Sequence, residues 1–259
     1  GKMSRIVSDD AEIAATGLAE MTPGTGRAFL VEAFNQIQIS RIDPSLTGGR
    51  AISVFDEKDD LRPFEDAKLH GHNATHALLA YFGMLAGHEW MADVLADDRI
   101  APIARAAFIE ESGAALIAEH DGEDFLFTTE GYEHYVDDLL VRMANPFLRD
   151  DCQRIGRDIE RKLGWGDRLI GTIRLCLKHD VDPKRYAMAA LAAHHLWQTD
   201  RERTADDLSA LIALCQRHGA DPDELANVMT TLANHRPQFQ EFAASLAAQP
   251  PISNERMTR

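Results

Sequence analysis

Residues 208–215 read LSALIALC, and this stretch decides the class of fold. Its apolar residues fall at positions i, i+3, i+4 and i+7, which form one stripe along a helix. Those residues are Leu208, Leu211, Ile212 and Cys215. Gly219 stands where such a helix would end, and Asp221-Pro222 opens another. The pattern predicts amphipathic helices whose ends are marked in the sequence.

The helical period recurs from residue 67 nearly to the end of the chain. The further predicted helices span roughly 71–85, 88–96, 99–119, 130–143, 147–162, 167–178, 183–198, 223–233 and 236–247. Their connections are short, which favours one compact helical domain. We therefore expect a mainly α, multi-helical fold, with residues 67–249 as the principal domain and residues 250–259 as a polar tail.

Residues 1–66 differ from the rest because Gly and Pro punctuate them. Two stretches in this segment, 29–31 and 51–55, have the composition of short strands. We expect a short mixed α/β segment here that packs on the helical domain. Within it, Pro23-Gly24-Thr25-Gly26 comes nearest to a dinucleotide-binding turn. It follows no hydrophobic strand and lacks a third glycine, so we interpret it as a surface loop.

The charge of the chain excludes several partners. Its 27 basic and 42 acidic residues give a formal net charge of −15, which opposes binding to nucleic acids and to anionic membranes. No apolar run approaches the roughly 20 residues that span a bilayer. The three cysteines, Cys152, Cys176 and Cys215, form no Cys-x-x-Cys pair. We therefore expect reduced, buried thiols in a cytoplasmic protein.

The densest concentration of reactive side chains is residues 68–76, KLHGHNATH. Helical spacing makes Asn73 and His76 neighbours on one face, and Lys68 lies in or just before the first turn. A desolvated lysine serves as a general base, and an amide stabilises charge that develops on an oxygen. These three residues are the candidate catalytic group. The alternative is structural: an exposed lysine, a capping asparagine and a histidine at the edge of the core.

A metal site is a second interpretation of the same stretch, since His70, His72 and His76 are clustered. His70 and His72 diverge by roughly 200° on a helix, and no cysteine or known zinc spacing completes a set. The pair His194-His195 adds little, because adjacent helical residues point apart. We expect no metal.

Basic residues form a second concentration between residues 145 and 169. Four arginines step by three, four and seven residues, a spacing that suits one helical face. They are Arg154, Arg157, Arg161 and Arg168. Guanidinium groups bind phosphates, carboxylates and sugar hydroxyls. The alternative is a solvated face that forms ion pairs with its acidic neighbours, and we interpret the acidic pair Glu110-Glu111 as solvated surface too.

Taken together, these segments resemble the C-terminal domain of the polyol-specific long-chain dehydrogenases, most closely the mannitol-1-phosphate 5-dehydrogenases among them. The resemblance covers residues 27–175 and implies a multi-helical domain of the 6-phosphogluconate-dehydrogenase-like type. The motifs that carry it are Lys68-x-x-x-x-Asn73-x-x-His76, residues 80–88 (AYFGMLAGH), Glu110-Glu111-Ser112-Gly113 and the block from Asn145-Pro146 to Leu169. They follow one another in the family's order.

The resemblance implies an NAD-dependent oxidoreductase and a role for each candidate residue. Lys68 would be the general base that takes the proton of the substrate hydroxyl. Asn73 would polarise the reacting oxygen, and His76 would orient the substrate. The far end of the substrate, a phosphate included, would be bound by Arg157, Arg161 and Lys162. The implied reaction is the reversible oxidation of mannitol 1-phosphate to fructose 6-phosphate.

Other substrates remain open within the family. Mannitol itself would be the substrate of a mannitol 2-dehydrogenase, and a sugar acid that of a fructuronate reductase. His70 and His72 stand where less polar residues are expected, which would alter substrate preference. The competing class is a non-catalytic helical binding or interaction module, in which the candidate catalytic residues are structural.

Members of the family bind NAD with an N-terminal Rossmann-type half, and this sequence has no motif for one. Because the sequence begins at Gly1-Lys2, we expect a domain excised from a longer enzyme and inactive without its nucleotide-binding half. A separate chain that supplies NAD and a non-catalytic relative are the alternatives. An excised half should leave an apolar interface bare near residue 68, which self-association would cover.

Overall fold

A computed structural model describes residues 4–33, 36–43, 45, 52–199 and 207–248. The chain divides into two compact units. The first comprises Gly1–Glu65 with Asn145–Arg149, and the second comprises Asp66–Ala144 with Asp150–Arg259. Helices dominate the elements in chain order, so the mainly α prediction is confirmed. The predicted tail at residues 250–259 lies outside the described residues.

The first unit contains two small sheets, one capped α-helix and the short 3₁₀ helix Pro146–Leu148. Its strands are β1 (Ser4–Val7), β2 (Ala28–Val31), β3 (Ile37–Ser40) and β4 (Phe55–Lys58), and its helix is α1 (Asp10–Thr16). Strands β1 and β2 pair antiparallel, whereas β3 and β4 pair parallel. The side chain of Asp9 accepts the amides that open α1, and Gly17 ends the helix in a left-handed conformation.

One of the two predicted strands is confirmed and the other is displaced. The strand predicted at 29–31 is present as β2. The one predicted at 51–55 is displaced, because Ser53 and Val54 form a turn and β4 starts only at Phe55. The amide of Ile37 donates to the carbonyl of Val54 at 2.9 Å, which is where pairing with β3 begins. The partner strand, rather than local composition, therefore sets where β4 starts.

The second unit is helical, and α2 (Arg62–Asp66) leads into it. Its elements are π1 (Ala67–Asn73), α3 (Ala74–Ala86), α4 (Met91–Leu95), α5 (Ala101–Ala106), π2 (Ala107–Gly113), α6 (Ala114–Glu119), α7 (Thr129–Met143), α8 (Cys152–Gly156), α9 (Ile159–Lys162), α10 (Ile170–Lys178), α11 (Lys184–Thr199), α12 (Ser209–Arg217) and α13 (Pro222–Ala248). The segments π1 and π2 are π-helices, which run directly into α3 and α6. Such segments are rare in proteins overall, and those that occur are often found at functional sites.

Two predicted helix boundaries are wrong. The single helix predicted at 147–162 is interrupted at Asp158, whose φ of 57° is left-handed, so α8 and α9 are separate. The two helices predicted at 223–233 and 236–247 form the single helix α13, with Pro237 in its interior. Local sequence favoured a break there, because proline cannot donate a backbone hydrogen bond.

Helix α3 is the centre of the second unit and packs against α8, α11 and α13. Its buried residues lie on all sides of the helix, as expected of an apolar helix inside a helical domain. They are Ala74, Thr75, Ala77, Leu78, Leu79, Ala80, Tyr81, Phe82, Gly83 and Ala86. The first turn of α3, which follows π1, is therefore fixed by the core.

A second cluster of buried side chains supports π1 from the other side. It contains Phe108, Leu116, Tyr132, Val136 and Leu139. A Cβ atom at Gly71 would lie 2.6 Å from the Tyr132 hydroxyl and 2.8 Å from Cε2 of Phe108. Only glycine lets π1 approach this cluster so closely. The close approach holds the backbone that carries Lys68 and Asn73.

The surface of the described residues shows three further features. None of the described helices is long and apolar enough to cross a lipid bilayer. The three cysteines are buried and free. The exposed large apolar side chains of the first unit are Ile6, Met21, Phe29, Val31, Ile37, Ile42, Ile52 and Phe147, and those of the second unit are Phe125 and Val141. Exposed apolar side chains are therefore concentrated in the first unit.

Candidate active site

The junction between π1 and α3 carries the three candidate catalytic residues. Lys68 is exposed, whereas Asn73 and His76 are half-buried. Asn73 has helical backbone angles, and its side chain makes no capping hydrogen bond. The structural alternative of a capping asparagine is therefore wrong. The Asn73 amide remains available to a ligand.

His76 occupies an unusual environment for an imidazole. Its Nε2 atom is buried and has no hydrogen-bond partner among the described residues. The nearest opposite charge is Oδ2 of Asp150, 3.6 Å away, which is beyond hydrogen-bonding distance. Burial, followed by the charges of Arg154, Arg168 and Lys162, lowers the pKa of His76 to about 4. His76 is therefore neutral near pH 7, with a buried nitrogen that the protein itself leaves unbonded.

His72 lies beside His76. The rings of His72 and His76 meet edge to face, with centroids 5.9 Å apart. Burial, followed by the neighbouring His76, holds the pKa of His72 well below its ordinary value. The charge of Lys68 acts in the same direction and is the smallest of the causes.

Three residues of the predicted basic segment, Arg154, Arg168 and Lys162, act electrostatically on His76. Arg154 on α8 pairs with Asp150, and Arg168 pairs with Asp167 at 3.1 Å. Lys162 on α9 is only 2% exposed. Its burial, together with the charges of Arg168 and Arg161, lowers the pKa of its amine to about 8. Cations thus outnumber anions around the His76 imidazole.

Arg157 and Arg161 are exposed, unlike Lys162. The left-handed residue Asp158 breaks the helix between α8 and α9, so the predicted single arginine face does not form. Both arginines pair with the Asp158 carboxylate, at 3.8 and 3.7 Å, and their side chains are 70% and 58% exposed. Arg157 also lines a cavity of about 380 Å³. The cavity residues are Met84, Gln153, Gly156, Arg157, Asp158, Ile159, Glu160 and Trp197.

The histidine cluster of π1 does not form a metal centre in the structure. His70 lies with Nδ1 3.1 Å from the hydroxyl of Thr172 on α10, while His72 turns towards His76. Among the described residues, no group of three or more His, Cys, Asp or Glu side chains is placed to hold a metal ion. His70 therefore ties π1 to α10.

Sequence reasoning missed one residue of the site and misassigned another near it. Asp150 carried no signal beyond its place in a charged block. Glu111 was interpreted as solvated surface, which is wrong, because it is 1% exposed. Its carboxylate accepts the backbone amides of Arg185 and Tyr186, which open helix α11. Burial raises the pKa of Glu111 to about 7, against the opposing effect of these donors.

The loop of Gly24 and Gly26 does not form a cradle for a dinucleotide. Gly24 lies in an exposed turn before β2, as predicted for this loop, and Gly26 is half-buried. The amide of Gly24 donates to the carboxylate of Glu20 at 2.5 Å. A pyrophosphate needs free amides at a strand-to-helix turn, whereas this turn presents a carboxylate. The turn does not fit NAD.

Comparison with known proteins places this helical domain among the polyol dehydrogenases. The chain belongs to the family of mannitol dehydrogenase C-terminal domains, whose sequence model matches residues 60–249. The match includes Lys68, Asn73 and His76.

Two solved structures share the fold. The crystal structure of a substrate-free D-sorbitol dehydrogenase superposes with a TM-score of 0.70 and 18% identity, over 95% of this chain and 53% of that chain. A mannitol 2-dehydrogenase from Pseudomonas fluorescens, in a ternary complex with NAD and D-mannitol, gives a TM-score of 0.58 and 16% identity, over 96% of this chain and 54% of that chain. At these identities the likeness shows the fold alone. The chain spans about half the length of both proteins, at 53% and 54%.

Proposed function

We propose that this chain is the substrate-binding and catalytic half of an NAD-dependent polyol dehydrogenase. The observation that carries the proposal is the buried Nε2 atom of His76, which has no hydrogen-bond partner among the described residues. A buried polar atom that forms no hydrogen bond costs free energy, so its presence in a native structure needs an explanation. A substrate hydroxyl at this position would supply the missing hydrogen bond.

Each residue at the junction has a step in the proposed oxidation. Lys68 takes the proton of the substrate hydroxyl on its amine nitrogen. The amide of Asn73, free of any capping bond, donates to the oxygen as it becomes a carbonyl. His76 holds a hydroxyl through its neutral imidazole and so orients the carbon. The acceptor of the hydride from that carbon would be NAD, which residues outside this chain would hold.

For the substrate we propose a polyol phosphate, with mannitol 1-phosphate oxidised to fructose 6-phosphate. The support is the positive charge near His76, because Arg154, Arg168 and Lys162 all lower the pKa of its imidazole. Asp150 and Asp167 pair with the first two of these cations. An almost completely buried cation such as Lys162 is expensive to maintain without an anion. Arg157 and Arg161 would contribute less, because their side chains are largely exposed.

We further propose that a separate nucleotide-binding half holds the NAD and completes the site. Three observations support this: the turn at Gly24 does not fit NAD, the chain covers 53% and 54% of its two structural neighbours, and the first unit exposes apolar side chains. Such side chains suit an interface with another domain or with a second copy of the chain. The buried free cysteines favour a reducing, cytoplasmic setting.

Two other candidates deserve a direct comparison. A neutral polyol would make the same contacts with His76 but leave the cations unneutralised, and a sugar acid would place a carboxylate among them. A non-catalytic module is less consistent with the structure, because Asn73 caps nothing and Nε2 of His76 bonds nothing among the described residues. The substrate assay below separates these candidates.

The assay follows NADH by its absorbance and uses the longest natural protein that contains this chain. Mannitol 1-phosphate, mannitol and fructuronate are supplied, the last with NADH in the reverse direction. The proposal predicts the highest kcat/KM with mannitol 1-phosphate. A preference for mannitol or fructuronate would retain the enzyme class but reject the phosphate. No turnover with any polyol or sugar acid would favour the non-catalytic module.

A further inference from the structure

The hydroxyl of Tyr186 lies between two helical segments that meet at the site. Tyr186 is on the first turn of α11 and is completely buried. Its hydroxyl oxygen lies 2.7 Å from Oγ1 of Thr75 and 3.0 Å from Oγ of Ser112. Both distances are those of O–H···O hydrogen bonds.

The three hydroxyls form a chain with a defined direction. The hydroxyl of Ser112 donates to the carbonyl oxygen of Phe108 at 3.2 Å. Each hydroxyl has a single proton to donate, so Ser112 cannot also donate to Tyr186. Tyr186 must therefore donate to Ser112, and Thr75 must donate to Tyr186. All three protons are used, and removal of the middle hydroxyl breaks both links to it.

The two outer hydroxyls, those of Thr75 and Ser112, each lie near the end of a π-helix. Thr75 is on the first turn of α3, just after π1, between Asn73 and His76. Ser112 is near the end of π2, just before α6. The backbone of Tyr186 is held as well, because its amide donates to the carboxylate of Glu111 at 3.1 Å. The segment π2 therefore holds Tyr186 at both its backbone and its hydroxyl, and the hydroxyl reaches across to α3.

We propose that Tyr186 is a positioning residue for the polyol site. Its hydroxyl holds the first turn of α3 in the orientation that directs Asn73 and His76 at the substrate. This inference rests on the proposed function, since it takes that junction as the active site. The hydrogen bond between Tyr186 and Thr75, called the clamp below, joins the first turn of α3 to π2 through the hydroxyl of Ser112. Tyr186 acts through Thr75 and touches no substrate.

The first test is Tyr186→Phe, which keeps the ring and removes only the hydroxyl. Misplacement of catalytic groups lowers the rate of the chemical step, so kcat should fall by roughly tenfold to a hundredfold. KM should change less than kcat, because the groups that bind the far end of the substrate are not moved. Tyr135→Phe is the matched control: it removes a hydroxyl from a ring that packs on Phe108 and Tyr132. The control should retain the kcat of the natural protein.

The second test asks whether the effect passes through Thr75. Thr75→Val, which removes the other hydroxyl at nearly constant shape, should lower kcat as much as Tyr186→Phe does. The double variant should be no slower than either single variant, since both break the same link. Thr75→Ser restores a hydroxyl and should recover most of the loss. If the losses in kcat of the two single variants multiply in the double variant, the two residues do not act through one link, and the proposal is overturned.

A third measurement does not depend on turnover. Amide hydrogen exchange in the first turn of α3 should become about fivefold faster in Tyr186→Phe, because one hydrogen-bonded link has been lost. Peptides from α12 serve as the internal reference and should be unchanged. Unchanged exchange in α3 would overturn the clamp even if kcat fell. If the natural protein oxidises no polyol, the proposed function fails, and this exchange result still decides whether Tyr186 holds α3.

Discussion

The imidazole Nε2 of His76 and the carboxylate Oδ2 of Asp150 lie 3.6 Å apart, close enough to interact electrostatically but too far for a hydrogen bond. The other oxygen of Asp150 is bound by the guanidinium of Arg154. Because Arg154 offsets the charge of Asp150, the carboxylate does not raise the proton affinity of the imidazole. His76 thus stays neutral and unbonded beside a pair of opposite charges.

This arrangement predicts how His76 responds to the loss of Arg154. In Arg154→Gln the nearest repelling charge disappears and Asp150 is freed, so both changes raise the pKa of His76 from its value of about 4. The pKa can be read from the Cε1–Hε1 resonance of His76 in an NMR titration. Arg157→Gln removes an arginine three residues away that pairs with Asp158 instead. An equal rise in that control, or no rise in Arg154→Gln, would show that the charge arrangement is wrong.

His76 should also make the fold less stable in acid. Its pKa is about 4 in the folded state against an ordinary 6.5, so between those values the unfolded chain binds a proton that the folded chain does not. Stability is unaffected above 6.5 and falls as the pH drops towards 4. From pH 7 to pH 5 the loss due to His76 is about 2 kcal/mol. Urea denaturation at pH 7 and at pH 5 measures the free energy of unfolding. From pH 7 to pH 5 it should fall by about 2 kcal/mol less in His76→Gln than in the unsubstituted chain.

His134→Gln provides the control for this experiment, because His134 is exposed on α7. It should lose as much stability on acidification as the unsubstituted chain does. If His76→Gln behaves like His134→Gln, the imidazole of His76 is not buried in the neutral form.

The close approach at Gly71 gives a stability prediction. A methyl group there would meet the Tyr132 hydroxyl at 2.6 Å and the Phe108 ring at 2.8 Å. Overpacking of this kind destabilises a fold by about 1–3 kcal/mol, so Gly71→Ala should lower the free energy of unfolding by that amount. Gly166→Ala is the matched control, because nothing lies within 4 Å of its Cβ position. Equal stability of the two variants would contradict the packing of π1 described here.

The helical class could be predicted because apolar spacing is a local property of the sequence. The stripe at residues 208–215 is largely contained in α12 (Ser209–Arg217), and Gly219 follows with the predicted left-handed backbone. The junction of π1 and α3 was identified from side-chain chemistry at helical spacing, but its π-helical form was not. Nothing in the local sequence shows where a helix widens to admit close packing at Gly71.

The rest of the site depends on contacts between distant residues. Glu111 meets Arg185 across 74 residues of sequence, and Asp150 lies far along the chain from His76. Acidic pairs on a helix usually face water, so no local rule indicates which carboxylate is buried. The break at Asp158 was likewise invisible, because the arginine spacing alone fits a continuous helix. It separates Arg157 and Lys162, which the sequence had grouped together.

That separation predicts unequal roles within the basic cluster. Lys162 is 2% exposed, whereas the Arg161 side chain is 58% exposed. Loss of a buried charged hydrogen-bond donor weakens binding by roughly tenfold to a hundredfold, so Lys162→Met should raise KM for mannitol 1-phosphate by that factor. The effect of Arg161→Met should be several times smaller. A melting curve for each variant confirms that the fold is retained, and equal effects on KM would contradict the assignment of Lys162.

The most direct test of the proposed function is the rate of NADH formation by Lys68→Ala in the longest natural protein that contains this chain. Loss of a general base lowers kcat by roughly 10²- to 10⁴-fold, and we expect a loss in that range with the preferred polyol. Lys178→Ala, which removes an exposed lysine paired with Glu119, should retain the full rate. A Lys68→Ala protein that turns over as fast as its Lys178→Ala control would contradict the assignment of the π1–α3 junction as the catalytic site.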